Sequence, residues 1–392
     1  MKTTLYLVIY VAVCFFLFGC KSEKKSENDL IQINVSASYP EKEIKLEEVA
    51  DIEYLQIGVY EDFLFAVDPA IITSDKIIFF HPNDGDVIVY SREGNPLFRF
   101  NRKGNGPGEH GSITQLIYDE ITDEFFMKSF DKIIVYVAQG EFKRVITLPS
   151  AQYTAGSVVV RASSQITNFD SQTLLLFDPS NNYPFTLISK EDGTEVKVID
   201  IPKDKEVNAY VMSMQMDNNN VIVGMTVLPA PTHHLVRHKD GYLLTEFSND
   251  TVYFLSPDKK LSPFLVRQPA IQSMEPVITL NSLVEAGNYE FLLAVTIRDD
   301  NGALPRKYLM RDKKTGSIYR QKITFNDYRG KEVNLFTETI TKTQDSKLGL
   351  IVLSLTELQD ANRENKLSGR LKELVENSDD DGNDIYMLLH FK

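Results

Sequence analysis

The densest run of residues able to contact a ligand is Arg102-Lys103-Gly104-Asn105-Gly106-Pro107-Gly108-Glu109-His110-Gly111. Residues Gly106 to Gly111 satisfy the spacing G-x-G-x-x-G, which cradles a pyrophosphate when it joins a strand to a helix N-terminus. Here Pro107 stands inside the pattern, and the run that follows, Ile113 to Tyr118, reads as strand rather than helix. The pattern therefore reads as a tight connection in which glycines supply positive φ and Pro107 fixes a turn. Arg102, Lys103, Glu109 and His110 bring two cations, a carboxylate and an imidazole to that loop, and they are the candidate ligand contacts.

Two other clusters could do chemistry. His233, His234 and His238 lie close in sequence, but on a strand His234 and His238 face one side and His233 the other, so they do not converge on a metal without a bend. Asp379-Asp380-Asp381-Gly382-Asn383 has the hard oxygens and glycine bend of a calcium loop, but Leu388 stands where the bidentate Glu is needed. The segment reads as an acidic stop after a helix. No G-x-S-x-G, H-E-x-x-H or Walker pattern occurs. No catalytic residue, metal or cofactor is assigned.

The two cysteines, Cys14 and Cys20, both precede the folded part, which excludes a disulfide scaffold, a zinc-thiolate centre and a cysteine nucleophile there. With 42 Lys and Arg against 55 Asp and Glu, the formal net charge is −13. That balance opposes non-specific nucleic-acid binding, where cations must neutralise phosphates.

The elements that must position these residues read as strand, turn, strand from residue 44 onward. Six short apolar runs stand out: Lys76–Phe80, Glu124–Lys128, Thr173–Phe177, Tyr242–Phe247, Tyr289–Val295 and Leu348–Leu353. Successive starts lie 48, 49, 69, 47 and 59 residues apart. A second strand, a polar turn and a third strand follow in each of the first five units. The first two keep register, since Tyr90 to Tyr136 and Gly94 to Gly140 are both 46 residues. Units of this length built of antiparallel strands predict an all-β fold, a six-bladed β-propeller over residues 41–392. In the sixth unit a helix over Thr356–Asn377 is expected, inserted before a final strand Asp384–Phe391. The early segment Ile44–Ile57 is expected to pair with that last strand and close the ring.

Ahead of the repeat, Leu5 to Phe18 is uncharged and too short to span a membrane comfortably, as a signal-peptide core is. Its end, Leu17-Phe18-Gly19-Cys20, resembles the lipobox of bacterial lipoproteins. That resemblance implies a signal peptide over residues 1–20, with Cys20 as acylated N-terminus. The polar segment after it, residues 21–40, is expected to be a flexible tether.

The order of lipobox, tether, propeller, late helix and terminal strand resembles the six-bladed β-propeller lipoproteins of Bacteroidetes. The Arg102–Glu109 loop is similar to glycine-rich loops of NHL-type propellers. That family enters its last strand through Asn-Pro, whereas here Asn383 is followed by Asp384. The resemblance implies localisation at the cell envelope, at the outer membrane, with the face left open. The expected function is a non-catalytic binding or scaffold module for an envelope protein, peptide or glycan, held to the membrane by its N-terminal lipid. The alternative is a lyase or hydrolase centred in the channel, which would require inward-facing carboxylates, His or Arg.

Overall fold

The computed structural model describes residues 30–60, 63, 69–129, 131–149, 164–203, 207, 210–216, 222–229, 233–298, 300, 303–379 and 382–392. Cys20 and the expected signal peptide lie outside the described residues. The packed unit runs from Gln32 to Lys392.

Among the described residues, five largely antiparallel sheets of four or more strands form the blades of a β-propeller. Blade 1 comprises Pro69–Ile72, Lys76–Phe80, Asp86–Ser91 and Pro96–Asn101. Blade 2 comprises Gln115–Asp119, Glu124–Lys128, Lys132–Val137 and Glu141–Thr147. Blade 3 comprises Gln165–Asn168, Thr173–Phe177, Phe185–Ser189 and Glu195–Val198. Blade 4 runs from Leu235 to Gln268 and gains Ile31–Asn34 on its outer edge. Blade 5 runs from Ile278 to Val333 and gains Glu41–Lys45, paired parallel to Ile318–Phe325. A three-stranded closing sheet joins Leu348–Leu353, Ile385–Phe391 and Ala50–Gln56.

The burial of each strand explains why the repeat is visible in the sequence. Second strands are covered on both faces: every residue of Glu124–Lys128 and Thr173–Phe177 is buried. Such strands read as continuous apolar runs. Outer strands are open to water; every residue of Glu195–Val198 is exposed. Neighbouring blades then share their apolar faces. Ile78, Val89 and Phe100 of blade 1 pack on Leu116, Phe125 and Tyr136 of blade 2. Phe126 and Ile146 of blade 2 pack on Leu174 and Ile188 of blade 3.

A glycine repeats at the turn before the outer strand, and its reason is the previous blade. Gly140 (φ 75°) would set a Cβ 2.5 Å from Phe100 of blade 1. Gly193 (φ 80°) would set one 2.2 Å from the Thr147 carbonyl oxygen of blade 2. Polar staples cross the same seams. Gln115 of blade 2 takes both main-chain groups of Ile166 in blade 3, at 2.8 and 2.9 Å. Lys190 of blade 3 donates to Asp119 of blade 2 at 2.6 Å, and both are buried. Burial alone would push the Asp119 carboxyl up, but the Lys190 hydrogen bond and charge hold it below its ordinary value.

Several expectations need correction. The described residues form five blades, not six. The expected sixth is a three-stranded sheet, because the chain between Leu353 and Ile385 folds as helices instead of further strands. The single late helix is two, α2 (Leu355–Arg363) and α3 (Gly369–Glu376), after a short α1 (Glu338–Thr341). Asn365 (φ 55°) and Gly369 (φ 57°) break the expected run, and Leu367 lies between the helices. The packed chain also begins before residue 41. Val35 N donates to Gln268 O at 2.8 Å, so the later part of the 21–40 segment is built into the outer edge of blade 4. The 69-residue spacing has a cause too: a hairpin, Tyr210–Met216 with Ile222–Pro229, stands between blades 3 and 4.

The seam predicts an asymmetry between glycines. Gly193→Ala should lose roughly 1–2 kcal/mol more in urea unfolding than Gly316→Ala, whose nearest neighbour to a Cβ lies 3.9 Å away at the same backbone sign. Equal losses would show that the blade contact is not tight.

Candidate functional site

The first strands of the blades face the centre, where they enclose a channel cavity of about 410 Å³. Thr114–Ile117, Ser164–Thr167 and Leu235–Arg237 line it, with Tyr242 behind them. Ile340, Lys342 and Gln344, at and after α1, reach it from the chain between blade 5 and the closing sheet. None of the described residues lining the channel is an Asp or Glu. The Tyr242 hydroxyl donates to the Asn168 carbonyl and accepts from Arg237 Nη1 at 3.2 Å. The Arg237 guanidinium lies over the Tyr242 ring, 5.1 Å from its centroid.

Arg237 and Ile340 also line a second cavity of about 820 Å³ at one mouth. Its walls come from the Lys239-Asp240 turn of blade 4, Leu283–Ala286 and Lys313 of blade 5, Asp345–Lys347, and Phe391-Lys392 at the end of the closing sheet. Glu285 Oε1 lies 3.5 Å from Lys239 Nζ and 3.7 Å from His238 Nε2. His238 is buried against Phe254 and Phe264, and burial pushes its imidazole down to about 4, so it is neutral at pH 7. Its Nε2 has no hydrogen-bond partner.

The four loop residues singled out from sequence come together, but mainly to hold the loop itself. Arg102 Nε donates to Gly140 O at 2.6 Å, and Lys103 Nζ donates to Asn83 O. Glu109 Oε2 accepts from Gly106 N at 2.7 Å. His110 N donates to Arg102 O at 2.9 Å, and His110 Nδ1 bonds Gly111 O at 3.0 Å. Tyr136 Oη donates to Gly108 O, which fixes the loop on blade 2. Burial pushes the His110 imidazole below its ordinary value. This is the tight inter-blade connection expected of the glycines.

Nor do the three histidines converge. His234 stacks on Phe177, with ring centroids 3.7 Å apart, and its Nδ1 bonds Thr245 O at 2.6 Å. Burial pushes it down to about 4. His233 lines the channel and His238 the mouth. Among the described residues no group of three or more His, Cys, Asp or Glu could hold a metal ion. The acidic run is described only in part, since Asp380 and Asp381 lie outside the described residues. Sequence reasoning missed Arg237, whose signal was its alternation with buried Val236 and His238.

Lys128 is fully buried in blade 2 and donates to Thr114 Oγ1 at 3.2 Å. Burial pushes its amine down to about 8, against a smaller upward pull from Asp178. Between the folded value near 8 and the unfolded value of 10.5 the unfolded chain binds more protons. Stability should therefore rise with pH across that window. Lys128→Met should remove that slope and gain on the order of 2 kcal/mol at pH 7. The same slope in both proteins, measured by urea unfolding at pH 7, 8, 9 and 10, would contradict the assignment.

Against known proteins, residues 30–390 match the family model described as Domain of unknown function (DUF4934), so the chain belongs to that family. No curated protein matches it. Among solved structures it is similar to a Bacteroides fragilis protein whose name assigns it to export. That pair shares 12% identity over 93% of this chain and 99% of the other, with a TM-score of 0.60. It is also similar to a Bacteroides vulgatus member of the duf4221 family, at 10% identity over 88% and 97% of the chains and a TM-score of 0.46. At 12% identity the likeness to the Bacteroides fragilis protein shows the fold alone.

Proposed function

We propose that this member of the DUF4934 family is a non-catalytic binding or scaffold propeller of the bacterial cell envelope. In this reading Cys20 carries the lipid that holds it to the outer membrane. The closing sheet serves as a sixth, incomplete sector of an NHL-like ring. The partner is an envelope protein, peptide or glycan, taken in the channel and its mouth. The observation that carries the reading is the channel lining, which holds Arg237, Lys342, His233 and Tyr242 among neutral amides and hydroxyls, with no carboxylate among its described residues to pair with them as acid or base. A lyase or hydrolase at that centre would need converging acids and bases. The export assigned to the Bacteroides fragilis protein supports the envelope. Two acyl chains on one cysteine supply stable anchoring where one chain alone does not.

The test is to incubate the mature domain with peptides and glycans released from bacterial envelopes, then weigh the retained and free pools by mass spectrometry. Saturable retention with unchanged masses is expected. New, smaller products that vanish in Tyr242→Phe would replace the binding reading with the enzymatic one.

A further inference from the structure

The mouth and channel differ in charge from the rest of the chain. The chain carries a net charge of −13, yet the described residues around these two joined cavities include more Lys and Arg than Asp and Glu. The cations are not all spent. Lys392 is held by Asp51 at 2.9 Å, and Lys239 and Lys313 share the single carboxylate of Glu285, at 3.5 and 4.0 Å. Among the described residues Arg237 has no carboxylate within ion-pair distance, although it stands where the two cavities meet. Its only described side-chain partner is the neutral Tyr242. Lys347 is exposed on the mouth wall, and no ion pair engages it among the described residues.

A second, independent feature points into the same space. His238 is 4% exposed, lines the mouth, and leaves Nε2 without a hydrogen bond. At 3.7 Å from Glu285 Oε1 it is too far for one. A buried polar atom left in this state marks a place where a partner is missing.

Resting on the binding reading above, we propose that the mouth cavity is a site for a small organic oxyanion, a carboxylate or sulfate on a compact body. Arg237 meets the charged group at the junction with its planar fork, Lys347 and Lys313 add charge from the rim, and His238 Nε2 meets a hydroxyl of the body. Cations lining a concave low-dielectric wall focus their field into the cavity, so an anion is concentrated there even though the molecule as a whole repels it. A cavity of about 820 Å³ is of the size that encloses a small ligand.

Citrate is the probe, with glycerol as the neutral control, measured by titration calorimetry on the mature domain at fixed ionic strength. Saturable citrate binding without glycerol binding is expected. Lys347→Glu, an exposed change that spares the packing, should weaken it by about tenfold, and Arg237→Gln by more. Lys372→Glu on the far helix α3 should leave it unchanged. Absent citrate binding, equal glycerol binding, or Lys347→Glu and Arg237→Gln both matching the wild type would each overturn the proposal. Retention of an uncharged envelope ligand alongside any of those results would leave the binding function standing without the anion site. Loss of both would remove both.

Discussion

The ring depends on one pairing. Ile385–Phe391 runs antiparallel to Ala50–Gln56 in unbroken register, from Ile385 opposite Gln56 to Phe391 opposite Ala50. A propeller blade is apolar on both faces and needs a neighbour on each side. Without this pairing, blade 1 would face water along Ile77, Phe79, Ile88 and Tyr90, which now pack on Leu55, Tyr386 and Leu388. Blade 5 meets the same sheet through Gly287 N to Lys392 O at 2.9 Å. Met387, Leu388 and Leu389 are wholly buried as a result.

Closure also sets what the ring can hold. The seams of blade 2 with blades 1 and 3 are each tightened by a glycine that admits the preceding blade, and the second also by side chains that substitute for strand hydrogen bonds. Gln115 at Ile166 is one such stitch, and Asn168 at the Tyr118 carbonyl, 2.8 Å, is another. These stitches occupy groups on the inner strands, and Arg237, Tyr242, His233 and Lys342 stand beside them in the channel lining. The N-terminal strands seal the outer edges of blades 4 and 5, whereas the outer strands of blades 1 to 3 stay open. Lys197 and Glu195 on the blade 3 edge are the kind of charges that discourage a further strand from adding there.

The ring's architecture was legible where burial follows the strand period. Lys76–Phe80, Glu124–Lys128, Thr173–Phe177 and Leu348–Leu353 begin and end where their apolar runs do, because both faces of each are covered or nearly so. The pairing of the first and last strands followed from the need to close. The blade count was not legible, because one apolar run does not tell a complete four-stranded sheet from the three-stranded one around Leu348–Leu353. The break between α2 and α3 was masked by Leu367 and Leu371, which keep a helical spacing across Asn365 and Gly369. For the site, residue type misled. Arg102, Lys103, Glu109 and His110 look reactive together, but each side chain bonds main-chain groups of the same or adjoining loops, and His110 Nε2 is left without a hydrogen-bond partner. Arg237 and Lys347 come from distant parts of the chain, and only the ring brings them to one cavity.

The dependence of the whole ring on its closing strand is tested most directly by native-state hydrogen exchange of the Ile385–Phe391 amides. If the pairing with Ala50–Gln56 holds the ring, Met387, Leu388 and Leu389 exchange only with global unfolding, as slowly as the second strands of blades 2 and 3. Exchange as fast as the exposed outer strand Glu195–Val198 would mean that the closing sheet opens while the blades persist, and would contradict the account.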